Sequence, residues 1–277
     1  MDWRLLWNCK RLITERFLAA IGILLGTLEL IKLFVDVPCE YIWGIATLVI
    51  SIIWGLWILR KTESATLKLN KATDIHIKYD DLFKTDGIKV IPVNEHLGDG
   101  IISPDSLHGQ FIRRYFNGRE DELSEKIKEQ LKCHDPYDRK RGRNLKLQLP
   151  ENKYKLGTSI RISDGDNCFI LVALTRFNEY EHVDVKEEEY IPIVQKMFYY
   201  IEQLNDNMPV CVPLVGSGQS GFNMSHMQLL NSMLLAAHNS SRLALNKGLH
   251  IILHRATQWE NINLNVIKHI YNTWSTI

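Results

Sequence analysis

Between Tyr41 and Leu59 the chain reads YIWGIATLVISIIWGLWIL, a run with no charged side chain. A helix needs about 20 apolar residues to cross the hydrocarbon core of a bilayer, so this run predicts a transmembrane helix. Phe17 to Val35 is a second candidate, with Glu29 and Lys32 as its charged residues. Each costs about 2.5 to 3.5 kcal/mol at a helix centre. Their spacing of three lets them pair on one helical face, and Lys32 can snorkel. The segment between the runs, Asp36 to Glu40, contains Pro38, which breaks a helix. The expectation is a two-helix transmembrane hairpin over residues 1–61, with helices at about 17–35 and 41–59. A cleaved signal peptide is the competing reading of the first run, but a second, cleaner run comes soon after it.

Arg4, Lys10, Arg11 and Arg16 flank the start of this pair, Arg60 and Lys61 flank its end, and the connection carries only Asp36 and Glu40. By the positive-inside rule both ends are cytoplasmic. Trp3, Trp7, Trp43, Trp54 and Trp57 fall in the same part, as interfacial belts require. Gly22 and Gly26 form a GxxxG that permits close helix approach.

Beyond Lys61 the pattern is that of a chain folded in water. A charged linker, residues 62–74, leads to a domain expected over 75–277. The whole chain balances 33 Lys plus Arg against 32 Asp plus Glu, so it lacks the basic excess of a general nucleic-acid binder, and no nucleic-acid partner is expected. Cys9, Cys39, Cys133, Cys168 and Cys211 are scattered and never spaced as CxxC, which disfavours a disulfide framework and a structural zinc. No metal and no cofactor is expected.

Short runs rich in Val, Ile and Leu predict strands at Ile75 to Tyr79, Lys89 to Val93, Thr158 to Ile162, Cys168 to Thr175, Pro209 to Val215 and Leu249 to Leu253. Helical periods lie between them. Ser103 followed by Pro104 predicts a helix start that runs through Phe111, Ile112 and Phe116. Tyr190, Ile191, Val194, Met197, Phe198 and Ile201 predict one core-facing stripe, and Trp259, Ile262, Val266, Ile270 and Trp274 another. The fold class is α/β, a mixed sheet covered on both faces. Cys133 to Lys155, with Arg139, Lys140, Arg141 and Arg143, reads as an exposed insertion, either solvated or in contact with anionic lipid or phosphate.

Val210 to Phe222, VCVPLVGSGQSGF, runs a buried strand into Gly216, Ser217, Gly218, Gln219, Ser220 and Gly221, and Ser225 then opens a helix. Glycines let backbone N–H groups converge on an anion, and a helix N-terminus just beyond adds positive partial charge. This is phosphate-binding chemistry. It is not a P-loop, because no lysine comes after the glycines. It is not a dinucleotide fingerprint, because it comes late in the chain with no acidic residue between Gly221 and Glu260. Nor is it a GxSxG nucleophile elbow.

A second glycine-containing element, IKVIPVNEHLGDGIISPDSLHGQFIRRYF, spans Ile88 to Phe116, preceded by Tyr79-Asp80-Asp81-Leu82. Taken together, these segments resemble the macro domain, an ADP-ribose-binding module, over roughly Ile75 to Leu253. The resemblance implies a three-layer macro-like fold in which Asp81, beside Leu82, reads adenine. It also implies that Asn94 and the loop to His108 surround the distal ribose, and that Gly216 to Phe222 hold the pyrophosphate. Ile102, Ser103, Ser106 and His108 are the candidates on the distal side. Two departures stand out: Asn94-Glu95-His96-Leu97 lacks the usual second asparagine, and Ile101-Ile102-Ser103-Pro104 replaces a triple glycine. Both lie where hydrolytic members act, so a binding role without catalytic residues is favoured. Asp99 and Asp105 leave a membrane-tethered ADP-ribosyl hydrolase as the alternative, and a structural anchor with a vestigial pocket as a third reading.

A macro-like domain behind a two-helix anchor further resembles the transmembrane-macro effectors of bacterial Thoeris anti-phage systems. That resemblance implies an ADP-ribose-derived signal nucleotide, with a histidine conjugate as one form of it, made from NAD by a TIR-domain partner. It also implies a homo-oligomer acting on the lipid bilayer, located at the cell inner membrane as a multi-pass protein with both termini cytoplasmic.

Overall fold

The computed structural model describes residues 10–34, 40–98, 103–134, 136, 152–177, 183–218, 222–240, 243–259 and 261–274. The chain divides into two compact units, Met1–Glu63 with Asn263–Ile277, and Ser64–Ile262.

The first unit contains helices α1 (Lys10–Lys32) and α2 (Glu40–Leu56), the latter ending in a 3-10 turn at Trp57–Leu59. Both expected helices form. Among the described residues no helix is long and apolar enough to cross a membrane. The apolar helix α2 has 17 residues, which at about 1.5 Å per residue rises about 25 Å before the 3-10 turn. Helix α1 is longer but starts early enough to include Lys10, Arg11, Glu15 and Arg16 besides Glu29 and Lys32. The last two pair at 3.0 Å, as their spacing allows.

The glycine contact also differs from expectation. A Cβ at Gly22 or Gly26 would meet nothing within 4 Å, whereas one at Gly55 would lie 3.2 Å from the Ile13 carbonyl oxygen and 3.4 Å from the Phe17 Cβ. The two helices therefore approach at Gly55. The C-terminal helix sorts with them, although the sequence pattern extends the cytosolic domain to 277. Asn263 donates to the Leu59 carbonyl at 2.9 Å, and Val266 packs with Ile13, Leu59 and Ile270.

The second unit is built on a seven-stranded sheet. Its strands are β1 (Ser64–Lys68), β2 (Asp74–Tyr79), β3 (Ile88–Asn94), β4 (Ser159–Asp164), β5 (Asn167–Thr175), β6 (Val210–Pro213) and β7 (Leu249–Leu253). The order is β1-β2-β7-β6-β3-β5-β4. β1 and β4 pair antiparallel at the edges, and β2, β7, β6, β3 and β5 form a parallel centre. Every predicted strand is present, and the expected linker also supplies β1. There Ala65 and Leu67 turn inward while their neighbours stay exposed, as a half-buried edge strand requires.

Helices α3 (Leu107–Tyr115), α4 (Glu120–Leu131), α5 (Tyr190–Leu204), α6 (His226–Asn239) and the short α7 (Arg255–Gln258) complete this unit, and α8 (Leu264–Trp274) is the C-terminal helix of the first. Of the stripe expected from Trp259 to Trp274, Val266, Ile270 and Trp274 lie on α8, whereas Trp259 and Ile262 precede it; Asn263 stands just before α8, and its Oδ1 accepts from the Asn265 and Val266 amides at 3.0 and 3.3 Å. Beneath α3 an aromatic cluster fills the core. Phe111 lies 5.4 Å from Phe116 and 4.7 Å from Phe169 between ring centroids.

Candidate functional site

Parallel strands of an open α/β sheet present a crevice at their carboxyl ends, and here all five central strands end at one cleft of about 1090 Å³. Asp80 to Phe83 follow β2, Asn94 closes β3, and Leu174, Thr175 and Phe177 close β5. Leu214 to Gly218 follow β6, and His254 to Gln258 follow β7. Among the predicted residues, Asp81, Leu82, Asn94, Ser103, Ser106, His108, Gly216, Ser217 and Gly218 line this cleft. Ile102, Gln219, Ser220 and Gly221 lie outside the described residues, as do Asp99 and most of the basic insertion.

The β6 turn is held from beneath. Gly216 adopts φ +88°, and a Cβ there would sit 3.0 Å from Leu229 and 3.1 Å from Tyr190, so only glycine fits. The Tyr190 hydroxyl donates to the Val215 carbonyl at 2.8 Å, and burial raises its pKa. Phe222, the last residue of the expected pyrophosphate segment, is buried edge-on to Tyr190, 5.1 Å away, and supports the turn.

Ser217 is already committed. Its amide donates to the Leu214 carbonyl at 3.2 Å, its hydroxyl donates to the same oxygen at 2.7 Å, and that hydroxyl accepts from Gln258 at 2.9 Å. Gln258 in turn accepts from the His254 amide at 2.7 Å, tying the β7 loop to the β6 turn. Gly218 differs: a Cβ there would meet nothing within 4 Å, so its backbone borders open space in the cleft.

On the β2 side Asp81 caps a 3-10 turn, accepting from the Phe83 amide at 3.0 Å, and its other oxygen lies 3.6 Å from Arg114. A carboxylate has about four acceptor positions, so capacity remains. Arg114 also lies over the Phe83 ring at 4.5 Å. Neighbouring Asp80 is held below its ordinary pKa by the Lys78 ammonium, 2.7 Å away.

On the β3 side the four residues of the altered motif separate. Asn94 lines the cleft, and its Oδ1 accepts from the His96 amide at 3.0 Å, leaving its NH2 as the group to offer. Glu95 is buried, bonded to Lys153 at 2.7 Å and to the Phe177 amide at 3.2 Å. The His96 ring lies 3.0 Å from the Asn152 carbonyl, and Leu97 is buried at φ 57°. These three replacements serve the loop's own packing.

Helix α3 begins later than the Ser103-Pro104 pair suggests. Ser106 is the N-cap, accepting from the Gly109 amide at 3.0 Å and donating to the Ser103 carbonyl at 2.7 Å. Residues 103–106 fold back as a turn so tight that a Cβ at Gly109 would lie 2.4 Å from the Ser103 oxygen. This turn presents Ser103, Asp105, Ser106 and His108 to the cleft. The His108 ring is 4% exposed, and its Nε2 is buried without a hydrogen-bond partner. Burial lowers its pKa to about 3, so the ring is neutral near pH 7.

Periodicity places Tyr190 in a core stripe without showing its hydroxyl's role, and gives no sign of Gln258 or Arg114. Gln258 sits just before the stripe expected from Trp259, and only the fold of the segment after β7 brings it to Ser217.

Comparison with known proteins bears on this arrangement. Residues 75–254 match the family described as Thoeris protein ThsA, Macro domain. The Thoeris protein ThsA of Bacillus amyloliquefaciens strain Y2 is 27% identical over 268 residues, covering 90% of this chain and 81% of that protein. An Oceanobacillus iheyensis macrodomain solved with ADP superposes with a TM-score of 0.52 at 10% identity, covering 76% of this chain and 97% of that one. The Oceanobacillus macrodomain with MES bound superposes with a TM-score of 0.50, at 10% identity, covering 77% and 97%. The fold is thus a macro-type α/β sheet, and the chain belongs to the ThsA macro-domain family of Thoeris proteins.

Proposed function

We propose that the cleft binds an ADP-ribose-derived nucleotide as a signal, and that the chain is a sensor and effector in Thoeris anti-phage defence. The observation that carries this reading is the convergence of five strand ends on one cleft, with Gly218 on its lining and a Cβ there meeting nothing within 4 Å. In this reading Asp81 accepts from the adenine amino group. The Gly218 amide holds the diphosphate together with residues 219–221. Asn94, Ser103, Ser106 and His108 face the distal ribose and the group attached to it.

A sensor is favoured over a hydrolase because Glu95 and His96, which replace part of the usual motif, are engaged in loop packing. Asp105 remains at the cleft as the hydrolase's candidate base. The signal is proposed to come from a TIR-domain enzyme acting on NAD. Its effect is proposed to be self-association of the chain and damage to the inner membrane, with the cleft on the cytoplasmic side. Support for membrane association, though not for crossing, lies in the first unit, where Ile23, Leu30, Ile45, Ile53 and Trp54 are all exposed.

Calorimetry of the full chain with ADP-ribose and with its histidine conjugate, followed by chromatography of the recovered ligand, tests the reading. Tight binding with intact ligand is expected. Turnover would make the chain an enzyme, and absence of binding would refute the nucleotide assignment. In the same assay Asp81→Ala should weaken binding, and unchanged affinity would remove the adenine role.

A further inference from the structure

A second cavity, of about 520 Å³, opens in the α/β unit and shares no lining residue with the cleft. Its walls come from the segment after α4 (Cys133, His134), the approach to β4 (Lys155, Thr158) and helix α5 (Lys196, Tyr200). Lys196 and Tyr200 are four apart and therefore share a helical face. The Lys196 ammonium donates to the Thr158 hydroxyl at 2.9 Å and lies 5.9 Å from the Tyr200 ring centroid. The His134 ring lies 5.7 Å from the same ring.

The described lining residues carry cations. Among the described residues neither Lys155 nor Lys196 has a carboxylate partner. Burial, and then the Lys155 charge, lowers the Lys196 pKa; burial, and then the Lys196 charge, lowers that of His134. Cations gathered in a concave site repel one another, and a bound anion relieves that repulsion. The donor set discriminates among anions. Lysine is a common point-charge ligand of phosphate, the Thr158 hydroxyl adds a further polar group, and the aromatic rings wall off space for an organic portion. Pockets of roughly 300 to 1,000 Å³ are the usual size for small-molecule ligands.

We propose that this cavity is a second ligand site, distinct from the nucleotide cleft, which binds a small phosphate-bearing molecule through Lys155, Lys196 and Thr158 against Tyr200. It adjoins the strand that ends at the cleft. The Ala173 amide donates to the Thr158 carbonyl at 2.9 Å, and Leu174 and Thr175 next along β5 line the cleft.

Cys133 supplies a local reporter, because its thiol is exposed and borders the cavity. The full chain would be alkylated with iodoacetamide with and without inorganic pyrophosphate, and modification at Cys133 followed by peptide-resolved mass spectrometry. Alkylation should slow about tenfold when pyrophosphate is at ten times its dissociation constant. The double variant Lys155→Gln/Lys196→Gln should lose this protection, and Gly218→Trp, which blocks the other cleft, should keep it.

An unchanged Cys133 rate at millimolar pyrophosphate would overturn the proposal. So would protection surviving in the double variant, or protection lost in Gly218→Trp. Lys155→Gln alone serves if loss of the Lys196–Thr158 bond disturbs folding. It should weaken protection several-fold, and protection as strong as in the parent would count against the site.

Discussion

The same side chains meet opposite surroundings in the two units. Ile45 of α2 is 61% exposed, whereas Ile77 of β2 is completely buried. In the first unit Leu30, Ile53 and Trp54 also face outward; in the second Phe111, Phe198 and Ile251 face inward. Burying a large aliphatic or aromatic side chain contributes about 1.5 to 3 kcal/mol in water. The α/β unit therefore carries its own driving force, while the helical pair leaves much of its apolar surface without a protein partner. The contrast shows why hydropathy alone is a poor guide: an apolar run names a low-dielectric neighbour, and only packing decides whether that neighbour is protein.

The largest expected effect tests this contrast directly. Phe198→Ala should cost about 3 to 5 kcal/mol in urea unfolding of the α/β unit, and Ile53→Ala should change stability by no more than about 0.5 kcal/mol, as surface changes do. Comparable losses at both positions would erase the distinction. Gly216→Val comes next. It combines a left-handed φ with contacts at 3.0 and 3.1 Å, and should cost about 2 to 3 kcal/mol and abolish nucleotide binding. A stable, binding-competent variant would show that the turn is not the cradle.

Gln258→Leu is expected to be milder, at about 1 to 2 kcal/mol, because it breaks the bond to Ser217 and leaves the His254 amide bond unmade. It should weaken nucleotide affinity, and a wild-type dissociation constant would show that the β7 loop does not support the β6 turn.

The smallest effect near neutrality concerns pH. The His108 pKa falls from 6.5 to about 3 on folding, so the unfolded chain binds the extra proton first. Its contribution is complete above pH 6.5 and declines between pH 6.5 and about 3, with a limiting slope of about 1.4 kcal/mol per pH unit. His108→Gln should flatten that part of the pH–stability curve, and an identical curve would mean the ring is not neutral and buried.

Much of the α/β unit is legible in the sequence because β3, β5, β6 and β7 are mostly buried apolar runs, as strands covered on both faces must be, while β2 alternates. β1 escapes because SATLK offers only Ala65 and Leu67 to the core and sits among charged residues that read as a linker. The Ser225 cap is legible from its residue type, and it forms a capping box with Gln228. The start of α3 is not, because Ser103-Pro104 and Ser106 are both plausible caps, and the close packing of Gly109 against the Ser103 carbonyl decides between them. The phosphate-loop reading anticipates a glycine turn at the cleft. It gives no sign that the Ser217 amide is spent on Leu214, since that bond depends on how the chain leaves β6.

The membrane expectation rests on an uncharged run, and the length of α2 and the charged first turns of α1 limit it. Apolar runs fix neither where a helix begins nor where it gives way to a 3-10 turn.

Gly218 offers the most direct test of where the nucleotide sits, because the residue lines the cleft and a Cβ there would meet nothing within 4 Å. Calorimetry with ADP-ribose should be run on the parent chain and on Gly218→Trp, with urea unfolding of each as a control. Unchanged unfolding and no detectable binding by the variant are expected. Wild-type affinity in a folded Gly218→Trp chain would contradict the placement of the nucleotide at the ends of the parallel strands.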